Sequence, residues 1–285
     1  MSSTATAVPA HGFNRIQQFM KWTVYLLLVV NFAFYVYEDW DRAIHTLTPD
    51  SPLLKWTSEF ATTIDTSAWL ILLLMFELET YVLEDVSWKG WVARMVRGTR
   101  VVCFVLIGHT VFAFANGVVD YQKNLPFENT TSLCDLADEG LSFVYNLEYT
   151  DLTSETCTEL SEETQFYRLG NNPLVTTYDG LQLERYLVWS DLIEIVAWIL
   201  IILAMEIVVR LQGNDVASGP AITVTNNVKL ALYGFLVILA VFWAWLSHWL
   251  YTWDTFVWIA GFATIEMNVS EWRSEILDQE AAASA

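Results

Sequence analysis

The chain has 285 residues, 54% of them hydrophobic and 15% aromatic, with a mean hydropathy of +0.37. That composition excludes a disordered chain and argues against a soluble globular enzyme. A formal net charge of −19 argues against binding to nucleic acid or anionic lipid.

Residues 1–21 are polar and carry no signal-peptide core or cleavage site, so they read as a cytoplasmic segment before a retained anchor. Six apolar runs follow, at about 22–40, 66–84, 100–119, 187–209, 229–249 and 254–270. Crossing a hydrocarbon core of roughly 30 Å as a helix takes about 20 such residues. The last run is the weakest, because Glu266 and Asn268 interrupt it. Indoles favour the headgroup level, and Trp22, Trp40, Trp88, Trp249 and Trp272 sit near the ends of these runs.

Most Lys and Arg fall on one side if the N-terminus is cytoplasmic. Arg15, Lys21, Arg94, Arg97, Arg100, Arg210 and Lys229 are then inside. The expectation is a plasma-membrane protein, the inner membrane in a bacterium, with both termini cytoplasmic. Residues 22–119 form the first hairpin and the third span. Residues 120–186 form an extracytoplasmic loop, a possible small subdomain. Spans four to six occupy 187–270, and 271–285 is a cytoplasmic tail.

The loop carries turn signals such as "GNNP" and runs such as "LSFVYNLEY" that read as strands or a short helix. It holds Cys134 and Cys157, which an oxidising compartment would join as a disulfide. Asn129 begins an "NTT" glycosylation sequon.

One pattern returns three times: an acid, three residues, Trp, seven residues, Glu. It is met by Asp65, Trp69 and Glu77; by Glu194, Trp198 and Glu206; and by Asp254, Trp258 and Glu266. An aromatic–Ala–aromatic triplet marks each odd-numbered span, at 32–34, 112–114 and 243–245. The repeating unit therefore reads as a helical hairpin. The fold expected is an all-α integral membrane bundle of six spans, built from three hairpin repeats with the outer loop inserted.

The two acids of each copy are about 18 Å apart along a helix. Asp65, Glu194 and Asp254 would lie at an outer mouth. Glu77, Glu206 and Glu266, with Glu79 beside the first, would lie deeper, where a carboxylate costs about 3 kcal/mol to insert. Such acids either gather as a ring that binds cations or protons, or pair near the inner interface. Glu206 stands four residues before Arg210, which is salt-bridge spacing. His109, in the third span, is a further candidate for the ion or proton site.

No G-x-S-x-G, H-E-x-x-H, Walker A or G-x-G-x-x-G motif is present, which leans against an enzyme. No cofactor is implied. Mitochondrial carriers also have three two-span repeats, but their Pro-acid-x-x-base motif is missing, so nothing carries over from them. Two functions remain open. One is a cation or proton channel or transporter that uses intramembrane carboxylates. The other is a non-transporting subunit or scaffold. The partners expected are the lipid bilayer, cations or protons, and a further copy or another membrane protein.

Overall fold

The structure is a computed structural model that describes residues 15–78, 91–128, 130–137, 139–212, 216, 218–263 and 266. Glu79, Asn129, the first 14 residues and the tail 271–285 lie outside the described residues, as does the side chain of Glu77. Helices dominate. They are α1 (Arg15–Thr46), α2 (Leu53–Glu59), α3 (Ala61–Glu77), α4 (Trp91–Tyr121), the single turn α5 (Cys157–Leu160), α6 (Tyr178–Gln212), α7 (Pro220–Trp245) and α8 (249–263). Among the described residues, four helices are long and apolar enough to cross a membrane: Gln18–Thr46, Arg94–Tyr121, Tyr178–Gln212 and Pro220–Trp245. A shorter apolar helix spans Ala61–Met75.

Between α4 and α6 stands a small five-stranded sheet, which an all-α fold does not include. Its strands are β1 (Asn124–Pro126), β2 (Ser142–Tyr145), β3 (Glu148–Asp151), β4 (Tyr167–Leu169) and β5 (Leu174–Thr176), in the order β1-β4-β5-β2-β3. All neighbours are antiparallel except β2 and β5. The run "LSFVYNLEY" supplies the β2–β3 hairpin. One face of the sheet packs on a core of Leu133, Leu136, Phe143, Leu152, Phe166 and Val175. Cys134 and Cys157 are joined as a disulfide beside this core. Closing a loop of this size stabilises the subdomain by roughly 3 kcal/mol in the chain-entropy model.

The sheet marks one end of the bundle. α1 reaches it through His45, which stacks on Tyr149 and lies 3.0 Å from Ser142 Oγ. The chain passes from α4 into β1 and from β5 into α6. α7 ends beneath the hairpin, where Asn146 Nδ2 donates to the Leu246 carbonyl. Thus α1, α4 and α7 run towards the sheet, and α6 and α8 run away from it. α3 also starts at this end, where its Thr63 N–H donates to Asp39 of α1.

Helix boundaries differ from the apolar runs. α7 begins at Pro220, whose missing N–H costs nothing at a first helical position. It stops at Trp245, and a bend at 246–248 with Ser247 at φ 69° starts α8. Lys229 is therefore well inside α7, and buried, instead of marking the end of a span.

Candidate functional site: an acidic, aromatic chamber

A cavity of about 130 Å³ lies inside the helical bundle. Asp65, Glu194 and Asp254 all line it, although they come from three separate helices. So do Trp69, Trp198 and Trp258, the tryptophans of the same three copies. The acid and Trp are four residues apart in each, one helical turn, which stacks their side chains on one face. Trp69 Nε1 donates to Asp65 Oδ2 at 2.9 Å. In the first copy the spacing thus has a chemical reason: the indole N–H satisfies the carboxylate one turn away.

Further neutral donors hold these acids. Asn31 Nδ2 donates to Asp254 Oδ1 at 2.6 Å, and the Tyr35 hydroxyl donates to Oδ2 at 2.9 Å. Trp243 Nε1 donates to Glu194 Oε2 at 3.0 Å, and the Thr255 hydroxyl to Oε1 at 3.3 Å. Hydrogen bonds to an ionised acceptor are the strong ones, and they offset part of the cost of taking a carboxylate out of water. Asp65 Oδ1 is different: it is buried and has no hydrogen-bond partner.

Among the described residues the one base on the chamber wall is Arg42. Its guanidinium is already engaged, with Nη2 2.6 Å from Asp39 Oδ1 and Nε 3.5 Å from Glu59 Oε2. Asp191 completes the acidic wall. Four carboxyl groups therefore face a cavity whose base is paired elsewhere.

Two larger cavities abut the chamber. The sheet-side cavity, about 550 Å³, shares Arg42, Phe114, Leu147 and Asp191 with it. A second, about 240 Å³, shares Trp69, Trp258 and Phe262. The shared side chains border both the chamber and its neighbour. Leu147 belongs to the sheet-side wall and sits at the tip of the β2–β3 hairpin. Its φ of 61°, beside Asn146 at 57°, is a conformation that a bulky residue rarely adopts. Glu184 Oε1 accepts the Leu147 N–H at 3.0 Å, and Asn146 is tied to Leu246 and His248.

The deeper acids of the repeat have other surroundings. Glu206 Oε1 accepts from Arg210 Nε at 2.7 Å, and both side chains are exposed. Glu206 borders the 240 Å³ cavity and not the chamber. Glu266 pairs with buried Lys229 at 3.0 Å and accepts from the Tyr233 hydroxyl at 2.8 Å. His109 faces α2, 3.3 Å from the Thr57 carbonyl, away from the chamber. The aromatic–Ala–aromatic triplets have no common role. Phe114 and Trp243 line the chamber, whereas Phe34 and Trp245 face outward. Among the described residues no group of three or more His, Cys, Asp or Glu is arranged to hold a metal ion.

Sequence reading did not single out Asp191, Arg42, Tyr35 or Tyr251. Asp191 had one available signal, since it precedes Glu194 by three residues on the same helix. The other three face the chamber through tertiary packing alone. No family model matches the chain, and no curated protein or solved structure does either.

Proposed function

We propose that the protein moves a small cation across the plasma membrane through the chamber. In this reading six helices span the bilayer: the four long ones together with α3 and α8. The three hairpins α1–α3, α4–α6 and α7–α8 each contribute one acid–Trp pair. The sheet lies outside, as the distribution of Lys and Arg requires, and both termini are cytoplasmic. Asp65, Glu194, Asp254 and Asp191 are the cation-attracting groups. Of the deeper acids, Glu206 borders the inner cavity of the same path, whereas Glu266 is paired with Lys229.

The observation that carries this reading is the sequence of three cavities with shared walls, the middle one acidic. Membrane-buried acids on a water-accessible path are the usual means of attracting cations. The shared walls are suited to serve as gates. On the outer side these are Arg42 and the Leu147 hairpin tip, and on the inner side Trp69, Trp258 and Phe262.

The test is cation flux into liposomes carrying purified protein, compared with the triple variant Asp65→Asn, Glu194→Gln and Asp254→Asn. Flux should fall at least about tenfold in the variant while its helical content and elution volume stay unchanged. Equal flux in a folded variant would overturn the assignment of these acids. Absence of flux in the parent protein would return the scaffold reading.

A further inference from the structure

We infer that the chamber is a binding site for a small organic ammonium cation, a methylated amine of about six heavy atoms, in preference to a metal ion or a bare proton. This inference rests on reading the chamber as a cation site. It adds the chemical class of the occupant.

Size is the first argument. A metal ion or a proton needs no cavity of about 130 Å³. An engineered cavity of about 150 Å³ takes up benzene, so this one suits a molecule of similar bulk.

The walls are the second. Four indoles, Trp69, Trp198, Trp243 and Trp258, and two phenols, Tyr35 and Tyr251, face the space. The rings support one another. Trp243 meets Tyr251 edge-on at 5.0 Å, Tyr251 stacks on Tyr35 at 5.9 Å, and Trp69 meets Trp258 edge-on at 6.4 Å. Aromatic cages of this kind recognise quaternary ammonium groups, because ring faces attract a diffuse positive charge that cannot donate hydrogen bonds. Calcium, by contrast, takes six to eight oxygen ligands at about 2.3–2.6 Å. Most of the oxygens here are already engaged by indole, amide and hydroxyl donors, and the acids come from separate helices around the wall.

Charge is the third. The acids are held by neutral donors, Arg42 is paired with Asp39 and Glu59, and Asp65 Oδ1 is buried without a partner. The wall is therefore acidic, and its one base among the described residues is already paired. A methylated ammonium group needs that acidic wall and not a specific hydrogen bond. An anion or a zwitterion would meet no second base among the described wall residues.

Calorimetric titration of the full-length protein in detergent with choline tests the inference. The control is 3,3-dimethylbutan-1-ol, its uncharged isostere. Saturable binding of choline, with binding of the isostere at least about tenfold weaker, is expected. Trp198→Leu should weaken choline binding about tenfold, and Trp198→Phe, which keeps a ring face, should restore most of it. Equal binding of the isostere would overturn the inference, because the site would then be merely apolar. So would choline that neither binds nor competes in a protein whose alkali-metal flux still depends on the three acids. That outcome would leave the transport reading standing. No flux of any cation together with no choline binding would defeat both.

Discussion

The two ends of the repeated segment carry the same kind of side chain and hold it by opposite means. At the chamber end Asp65, Glu194 and Asp254 are met by Trp, Asn, Tyr and Thr, all of them neutral. At the far end Glu206 and Glu266 are met by Arg210 and Lys229. A neutral donor stabilises a carboxylate and leaves its charge in place, whereas a base cancels it. The far-end acids are thus paired with bases, and among the described residues the chamber acids are not.

Removing a neutral donor is the strongest way to challenge this contrast. Asn31→Leu strips a 2.6 Å hydrogen bond from buried Asp254. It should lower stability by about 3 kcal/mol, since an acceptor carrying charge is then left short of a partner. Thermal unfolding in detergent reads this directly. Adding Asp254→Leu in the same background should recover most of the loss. A second Asn31 variant as stable as the parent would mean that the Tyr35 hydroxyl suffices alone.

The far end sharpens the comparison at smaller scale. Glu266→Gln leaves the Lys229 ammonium buried without its counter-charge and should cost about 2 kcal/mol, discounted because Glu266 is itself 30% exposed. Glu206→Gln, in an exposed pair, should stay within about 0.5 kcal/mol of the parent. Unfolding curves of the two variants at low and high salt separate a structural pair from a screened one.

The smallest expected effect lies at the bend between α7 and α8. Burial holds the His248 imidazole below its ordinary pKa, with Glu148 acting weakly in the other direction. The ring stacks on Tyr251, a chamber residue, and its Nε2 is 3.1 Å from Asn146 Oδ1. A His whose folded pKa is depressed favours the neutral form. Its contribution is complete above the unfolded value of about 6.5 and declines as pH falls from there towards the folded value. Relative to the parent, His248→Gln should therefore melt at a higher temperature at pH 5.5 than the difference at pH 7.5 implies. An unchanged difference would place the pH sensitivity elsewhere.

Much of this was legible in the chain. The long helices announce themselves because apolar runs of membrane length have few other uses. The cysteine pair stood alone in one loop. The acid–Trp spacing pointed to three equivalent positions, and those positions do share one cavity. The emphasis within the pattern was less legible. A Glu at apolar depth looks costly in isolation, and sequence does not show that Lys229 lies opposite Glu266 on a different helix. Beyond the run "LSFVYNLEY", which supplies the β2–β3 hairpin, the sheet was hidden for another reason. Strands of three or four residues are too short for alternation to register, and β2 pairs in parallel with β5 from about 30 residues away. Arg42 and Tyr251 reach the wall only through folding, with no periodic signal of their own.

In the proposed transport reading the shared walls also determine where the electrical potential falls. The sheet-side cavity, about 550 Å³, would bring the outer solution close to Arg42 and Asp191. Across a thick, uniform bilayer the membrane voltage would decline gradually. In that reading most of it would drop over the protein below that cavity, with the chamber inside the steep region. A potential of 100 mV is worth about 2.3 kcal/mol per elementary charge moved across its whole span. A cation entering from the sheet side, as proposed, would collect part of that energy before it reaches the tryptophans. Occupancy of the chamber, and not only passage through it, should therefore follow the voltage of the cell.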